Sequence, residues 1–242
     1  MPGPRAMMSR SFIFSFLLCL LAVPGFAATM PSVRMKVVYA EDGTSIAGAH
    51  VLFQAKAHEG TFTGHGGRSA TLFAVEAVTN HTGGIHFPKQ EFSAYPFFLN
   101  TNYHNPTMVV FKPGYVLLIL INTLRIIPNL DEVTMWEYDN QTVKMKRATM
   151  DSDLPETLGS AAIFAEMSAS EKDICFWKKI PRFLVAADRL TEDWDRKRAT
   201  LTDAALRNKR VTSTLLKILM NDPFYAEKKC GSPKAFFEPY LR

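Results

Sequence analysis

Apolar and polar positions alternate with a period of two over short stretches between residue 33 and about residue 147. Val33-Arg34-Met35-Lys36-Val37 alternates strictly, and Val51, Phe53 and Ala55 fall on one face of the run 49–56. This is the pattern of half-buried strands. Further strands are predicted over 71–78, 85–87, 107–111 and 115–121, the last two split by Pro113-Gly114. Turn chemistry separates them: Glu41-Asp42-Gly43, the glycines at 64, 66 and 67, and Asn80-His81-Thr82-Gly83-Gly84. Short strands at this spacing predict an antiparallel sandwich. Its core is expected to hold Val51, Phe53, Val75, Phe87, Val110 and Phe111. Val110 and Phe111 are adjacent, so strict alternation admits only one of them unless a bulge intervenes near Pro113, and Val109 with Phe111 is the favoured pair. Residues 135–138 and 142–146 are expected to form one more hairpin, around Asp139-Asn140.

After Asp151 glycine becomes rare and charges recur at helical spacing. Helices are predicted from Pro155 to about Ala169, from Pro181 to about Arg198, and from Thr202-Asp203 through Met220, where Pro223 ends the run. Ser170-x-x-Asp173 has the form of a weak capping box. The apolar content of this region (Phe164, Phe176, Trp177, Phe183, Trp194, Leu216, Phe224) predicts that it packs on the sandwich. The aromatic tail, Phe236-Phe237 and Tyr240-Leu241, is expected to dock as well. The fold class is therefore mainly β with an α-helical C-terminal region, an antiparallel sandwich followed by a helical cap.

The N-terminus changes the reading of compartment. Arg5 and Arg10 precede an apolar run over 12–23, then Pro24-Gly25 and the small residues Ala27-Ala28. Charged start, short apolar centre and small-residue exit make a cleaved signal peptide, 1–28, and the run is too short for a permanent membrane span. Cys19 is no lipidation site, because bulky Leu18 precedes it. The organisation expected is signal peptide 1–28, sandwich 29–148 and helical region 149–242, in a secreted or periplasmic protein without a stable membrane span. Two arginines and no acids leave with the signal, so the net charge falls from +5 to +3. That gives no argument for nucleic acid, which would call for a clustered basic stripe.

The mature chain keeps Cys175 and Cys230, and export invites one disulfide between them. Two free buried thiols, or a bond to a partner, are the other arrangements.

The stretch 33–124 resembles the carboxypeptidase regulatory-like domain, a transthyretin-like (prealbumin-like) sandwich. Three segments carry the resemblance: the opening Asp42-Gly43-Thr44-Ser45-Ile46-Ala47-Gly48-Ala49-His50-Val51, the hairpin Thr79 to Phe87 with Asn80 and Ile85 in place of the usual acid and aromatic, and the turn Phe111-Lys112-Pro113-Gly114-Tyr115. The resemblance implies a domain that binds, braces or presents something and carries no catalytic residues. The hydroxyisourate hydrolases of the same fold end in a tyrosine-rich signature that Tyr240-Leu241-Arg242 lacks, so their activity is not transferred.

All six histidines lie between His50 and His104. His58 and His65 flank one glycine-rich loop, and His81 and His86 flank another turn, which makes these four the candidate ligand contacts. A metal site needs three or four converging ligands; an outward histidine on a sheet face is otherwise solvated or packed against another layer. Gly64-His65-Gly66-Gly67-Arg68 is either an anion cradle or a flexible hairpin loop. Glu76, between Val75 and Ala77, either pairs with Arg68 or faces water. The basic runs Arg196-Lys197-Arg198 and 207–210 are interleaved with Glu192, Asp193, Asp195 and Asp203 and read as a solvated helix face. Asn80-His81-Thr82 and Asn140-Gln141-Thr142 fit the glycosylation pattern.

The function expected is a non-catalytic binding or structural module of the cell envelope, with no cofactor, whose partner is an unknown envelope protein or a cell-wall component. The rival expectation is a metal- or ligand-dependent hydrolase with its site in the histidine-rich loops.

Overall fold

The computed structural model describes residues 27–59, 68–93, 101–103, 106–122, 136–148, 175–204, 207, 215–221 and 230–242. The strands are β1 (Ala27–Met30), β2 (Val33–Tyr39), β3 (His50–Glu59), β4 (Arg68–Val78), β5 (Gly84–Phe87), β6 (Gln90–Ser93), β7 (Thr101–Tyr103), β8 (Thr107–Phe111), β9 (Leu118–Ile121) and β10 (Gln141–Met145). A 3-10 turn over Phe176–Lys179 leads into α1 (Pro181–Arg198); α2 (Leu215–Asn221) and α3 (Pro233–Leu241) follow. The expected helix over 155–169, the capping box at 170–173, the loop 60–67 with His65, and His104 lie outside the described residues, as do most of the expected signal peptide and Pro223.

One sheet has the order β10-β2-β5, the other β4-β3-β8-β9 with β7 also on β3, and β1 pairs β6. The first core lies between the two larger sheets. Val33, Met35 and Val37 of β2 meet Val51 and Phe53 of β3, Ile85 and Phe87 of β5, Met108 and Val110 of β8, and Trp136. Aromatic rings concentrate there, with Phe53 5.1 Å from Phe73, 5.5 Å from Phe87 and 5.0 Å from Trp136.

The larger sheet is covered on both faces, which corrects the reading of β8. Met108 and Val110 face the sandwich core, whereas Val109 and Phe111 face the helices. Alternation still holds, but all four residues are buried because each face has its own apolar layer. The second core joins Leu52, Ala74, Val109 and Phe111 to Phe176, Trp177, Phe183, Leu190, Trp194, Leu216 and Phe237. The helices therefore pack on the sheet, and the C-terminal aromatics dock: Trp177 lies 5.1 Å from Phe236 and 5.6 Å from Phe237. The molecule is layered sheet, sheet, helix.

A second correction concerns 135–146. Residues 137–140 turn, with Asp139 N–H donating to the Trp136 carbonyl and Gln141 N–H to that of Tyr138. No hairpin forms among the described residues 136–146. Gln141–Met145 pairs in parallel with β2, Val143 opposite Val37, so the sandwich is not antiparallel throughout. The cause is local. Trp136, 2% exposed, is drawn into the inter-sheet core. Asp139 Oδ1 then accepts from Arg34 N–H at 2.8 Å, and Asn140 N–H donates to the Arg34 carbonyl at 2.7 Å. These bonds lay the following residues along the open edge of β2.

The resemblance motifs fall on turns. Gly43, Gly48, Gly83 and Gly114 all adopt positive φ. Gly83 is the demanding position: at φ +74 an added Cβ would sit 2.3 Å from the Val37 carbonyl oxygen. Gly48, read from sequence as a point of close approach, leaves ordinary space around an added Cβ, so its requirement is the positive φ alone.

Candidate functional site: the polar junction between sheet and helices

Helix α1 begins without a cap of its own. Pro181 suits the first turn, having no N–H to leave unpaired. The residue before it is Ile180, which makes no side-chain cap. The missing acceptor comes from β4. Glu76 Oε1 accepts from Arg182 N–H at 2.9 Å, and Oε2 accepts from Phe183 N–H at 2.7 Å. One carboxylate thus satisfies two of the orphan donors of a helix N-terminus and places negative charge at its positive end. The expectation that Glu76 simply faces water does not describe this arrangement, and the alternative partner, the Arg68 side chain, lies outside the described residues. The sequence signal was present in two halves: a carboxylate in an apolar strand, and a helix start lacking Ser, Thr, Asp or Asn.

Burial raises the Glu76 pKa, and that outweighs the opposite pull of the Phe183 and Arg182 amide bonds and the Arg182 charge. His50, on the same helix-facing side of the sheet, is its counterpart. Burial lowers its pKa, aided by Arg182, Arg189 and Lys112. Its ring lies 6.4 Å from Phe111, and its Nδ1 is enclosed without a hydrogen-bond partner. His50 is the outward histidine packed against another layer. The cations around it are themselves engaged: Arg189 donates to the carbonyls of Tyr240 and Leu241, at the end of α3, and Lys112 Nζ to the Ala47 carbonyl.

The disulfide Cys175–Cys230 closes this assembly, with its Cα atoms 5.5 Å apart. It joins the start of the 3-10 turn to the residues just before α3. Ser232 Oγ accepts from Ala235 N–H, capping that helix, and Cys230 is 1% exposed.

Of the histidines named as ligand contacts, His65 lies outside the described residues, and His58 is described by its strand position alone. His81 lies in the exposed turn between β4 and β5, and His86 on the outward side of β5. His58 is on β3 in the other sheet, opposite Ser69 and Asn102. Among the described residues no group of three His, Cys, Asp or Glu side chains is placed to hold a metal ion. Asn80 is exposed, and its Oδ1 accepts from Thr82 N–H, Thr82 Oγ1 and Gly84 N–H.

A separate cleft of about 490 Å³ opens at the sandwich edge between β9 and β10. Leu118, Leu120, Tyr138 and Val143 line it, with Glu137 and Lys144 among its polar residues. No helix of the described residues is long and apolar enough to cross a membrane.

No family model matches this chain, and no curated protein matches it. Solved structures similar to it include the pilus 2b backbone protein of group B streptococcus, at 14% identity and a TM-score of 0.26, over 50% of this chain and 42% of that one. A streptococcal ancillary pilin matches at 14% identity and a TM-score of 0.23, over 50% of this chain and 30% of that one. An alternative pilotin from the type II secretion system of Vibrio cholerae matches at 12% identity and a TM-score of 0.27, over 50% of this chain and 96% of that one. This chain spans less than half the length of either pilin.

Proposed function

We propose that this protein is an exported, non-catalytic binding or structural module of the cell envelope, a carboxypeptidase regulatory-like sandwich carrying a fixed helical cap. The Cys175–Cys230 disulfide is the observation that carries the reading. Such a bond persists in an oxidising compartment, and the N-terminal pattern of charge, apolar run and small residues supplies a route there. The chemistry at the junction supports the non-catalytic part. Glu76 has both oxygens engaged by helix amides, and the half-buried His50 packs near Phe111 with its Nδ1 enclosed. Three family-like turns with positive-φ glycines support the sandwich assignment.

The test is processing. The full chain, expressed in a host with a secretory pathway, is expected in the exported fraction with a mature N-terminus at Ala28 or Thr29 and no free thiol. A chain retained in the cytosol at full mass with reduced cysteines would overturn the reading.

A further inference from the structure

The outward face of the three-stranded sheet collects cations that form no ion pair among the described residues. Alternation on β2 turns Val33, Met35 and Val37 inward and leaves Arg34 and Lys36 exposed. On β10, Val143 and Met145 turn inward and leave Thr142 and Lys144 exposed, with Lys146 exposed just beyond. On β5 the exposed outward residue is His86, directly opposite Arg34. Thr142 lies opposite Lys36, and Lys144 opposite Val38. Strand geometry spaces neighbouring groups at roughly 5–10 Å. None of the three strands puts an acid on this face. The acids at its edge are Asp139, whose oxygens accept from Arg34 N–H and Asn140 Nδ2, and Glu137, which lines the cleft with Lys144.

The basic run on α1 is the internal contrast. There Arg196 pairs with Asp193, Arg198 with Asp195, and Lys217 of α2 with Glu192. The helix carries its own counter-charges and the sheet face does not.

We infer that this sheet face is a docking surface for anionic phospholipid headgroups. The occupant follows from charge complementarity. An exposed array of Lys and Arg side chains, on three strands that put no Phe, Tyr or Trp ring on this face to stack a base, fits an extended anionic surface. Lys and Arg near such a surface each add to binding, and salt screens the attraction. The choice of lipid over polynucleotide rests on the envelope reading above.

Sedimentation with vesicles tests it, using the purified oxidised protein. Binding is expected to vesicles of phosphatidylcholine with one-third phosphatidylglycerol, not to phosphatidylcholine alone, and is expected to disappear at about 0.5 M salt. The double reversal K36E/K144E is expected to weaken binding by at least about tenfold with an unchanged melting temperature. R196E, on the self-neutralised helix, is expected to leave binding within about twofold. Equal binding to both vesicle types, or undiminished binding by K36E/K144E, would overturn the surface. A single-stranded oligonucleotide that binds more tightly than the anionic vesicles would overturn the lipid assignment. The purified protein is assayed independently of where the cell puts it. An unprocessed cytosolic chain that bound anionic vesicles would keep this surface and remove the envelope reading.

Discussion

The carboxylate of Glu76, on a strand of the sandwich, accepts the backbone N–H of Phe183, 107 residues later, at 2.7 Å. With the second bond to Arg182, the helical cap is registered on the sheet by polar geometry as well as by apolar contact. Glu76→Ala removes both acceptors and leaves the helix start uncapped. It is expected to cost about 1–2 kcal/mol, the range for loss of an N-cap, read as a lower urea midpoint with unchanged m-value. Glu76→Gln keeps one acceptor oxygen and is expected to cost less.

The junction also predicts a pH dependence with two opposed parts. His50 has a lowered pKa in the folded state, so the unfolded chain binds more protons as pH falls below about 6.5, and acidification destabilises through His50. Glu76 has a raised folded-state pKa. The folded chain then binds the extra proton above the unfolded carboxyl range, and acidification toward about 4.5 stabilises through Glu76. His50→Asn is therefore expected to make stability between pH 7 and 5 fall less steeply, and Glu76→Gln to make it fall more steeply. Denaturant midpoints across that range, compared with the parent, read the two slopes directly. Matching slopes in all three proteins would remove the assigned coupling.

The disulfide spans 55 residues of chain. In the chain-entropy model a loop of that length is worth up to about 4 kcal/mol. Replacing both cysteines with alanine is expected to lower the melting temperature and to make the segment of α3 the first to gain protease sensitivity, because the bond ends just before it. Limited proteolysis of oxidised and double-alanine proteins makes the comparison.

Two glycines with nearly equal φ are expected to respond unequally. Gly83→Ala must accommodate both φ +74 and a Cβ 2.3 Å from the Val37 carbonyl. A cost above about 2 kcal/mol is expected from strain and displaced backbone together. Gly43→Ala, at φ +73 with open space around the new methyl, carries the conformational cost alone, about 1 kcal/mol. Equal melting temperatures for the two variants would contradict the difference in surroundings.

Much of the fold is legible in the order of residues, for a physical reason: it is written locally. Period-two alternation marks β2 because its outer side is exposed, whereas on β3 Val51, Phe53 and Ala55 meet the inter-sheet core and Leu52 meets the helices. Pro181 marks the start of α1, and the spacing of aromatics over 176–240 marks a region that must bury them. An even count of cysteines after Cys19 points to the pair that bonds.

Other features depend on which layer each residue meets, and only the tertiary structure decides that. Four consecutive buried residues on β8 follow from helices covering the far face, which alternation on one strand cannot reveal. The parallel pairing of β10 follows from Trp136 entering the core and the bonds between Asp139, Asn140 and Arg34 aligning the chain on β2. Glu76 acquires its role from a helix more than a hundred residues away. The same alternation that made β2 recognisable as a strand placed Arg34 and Lys36 outside. Only the pairing of β2 with β5 and β10 gathered His86 and Lys144 onto the same face.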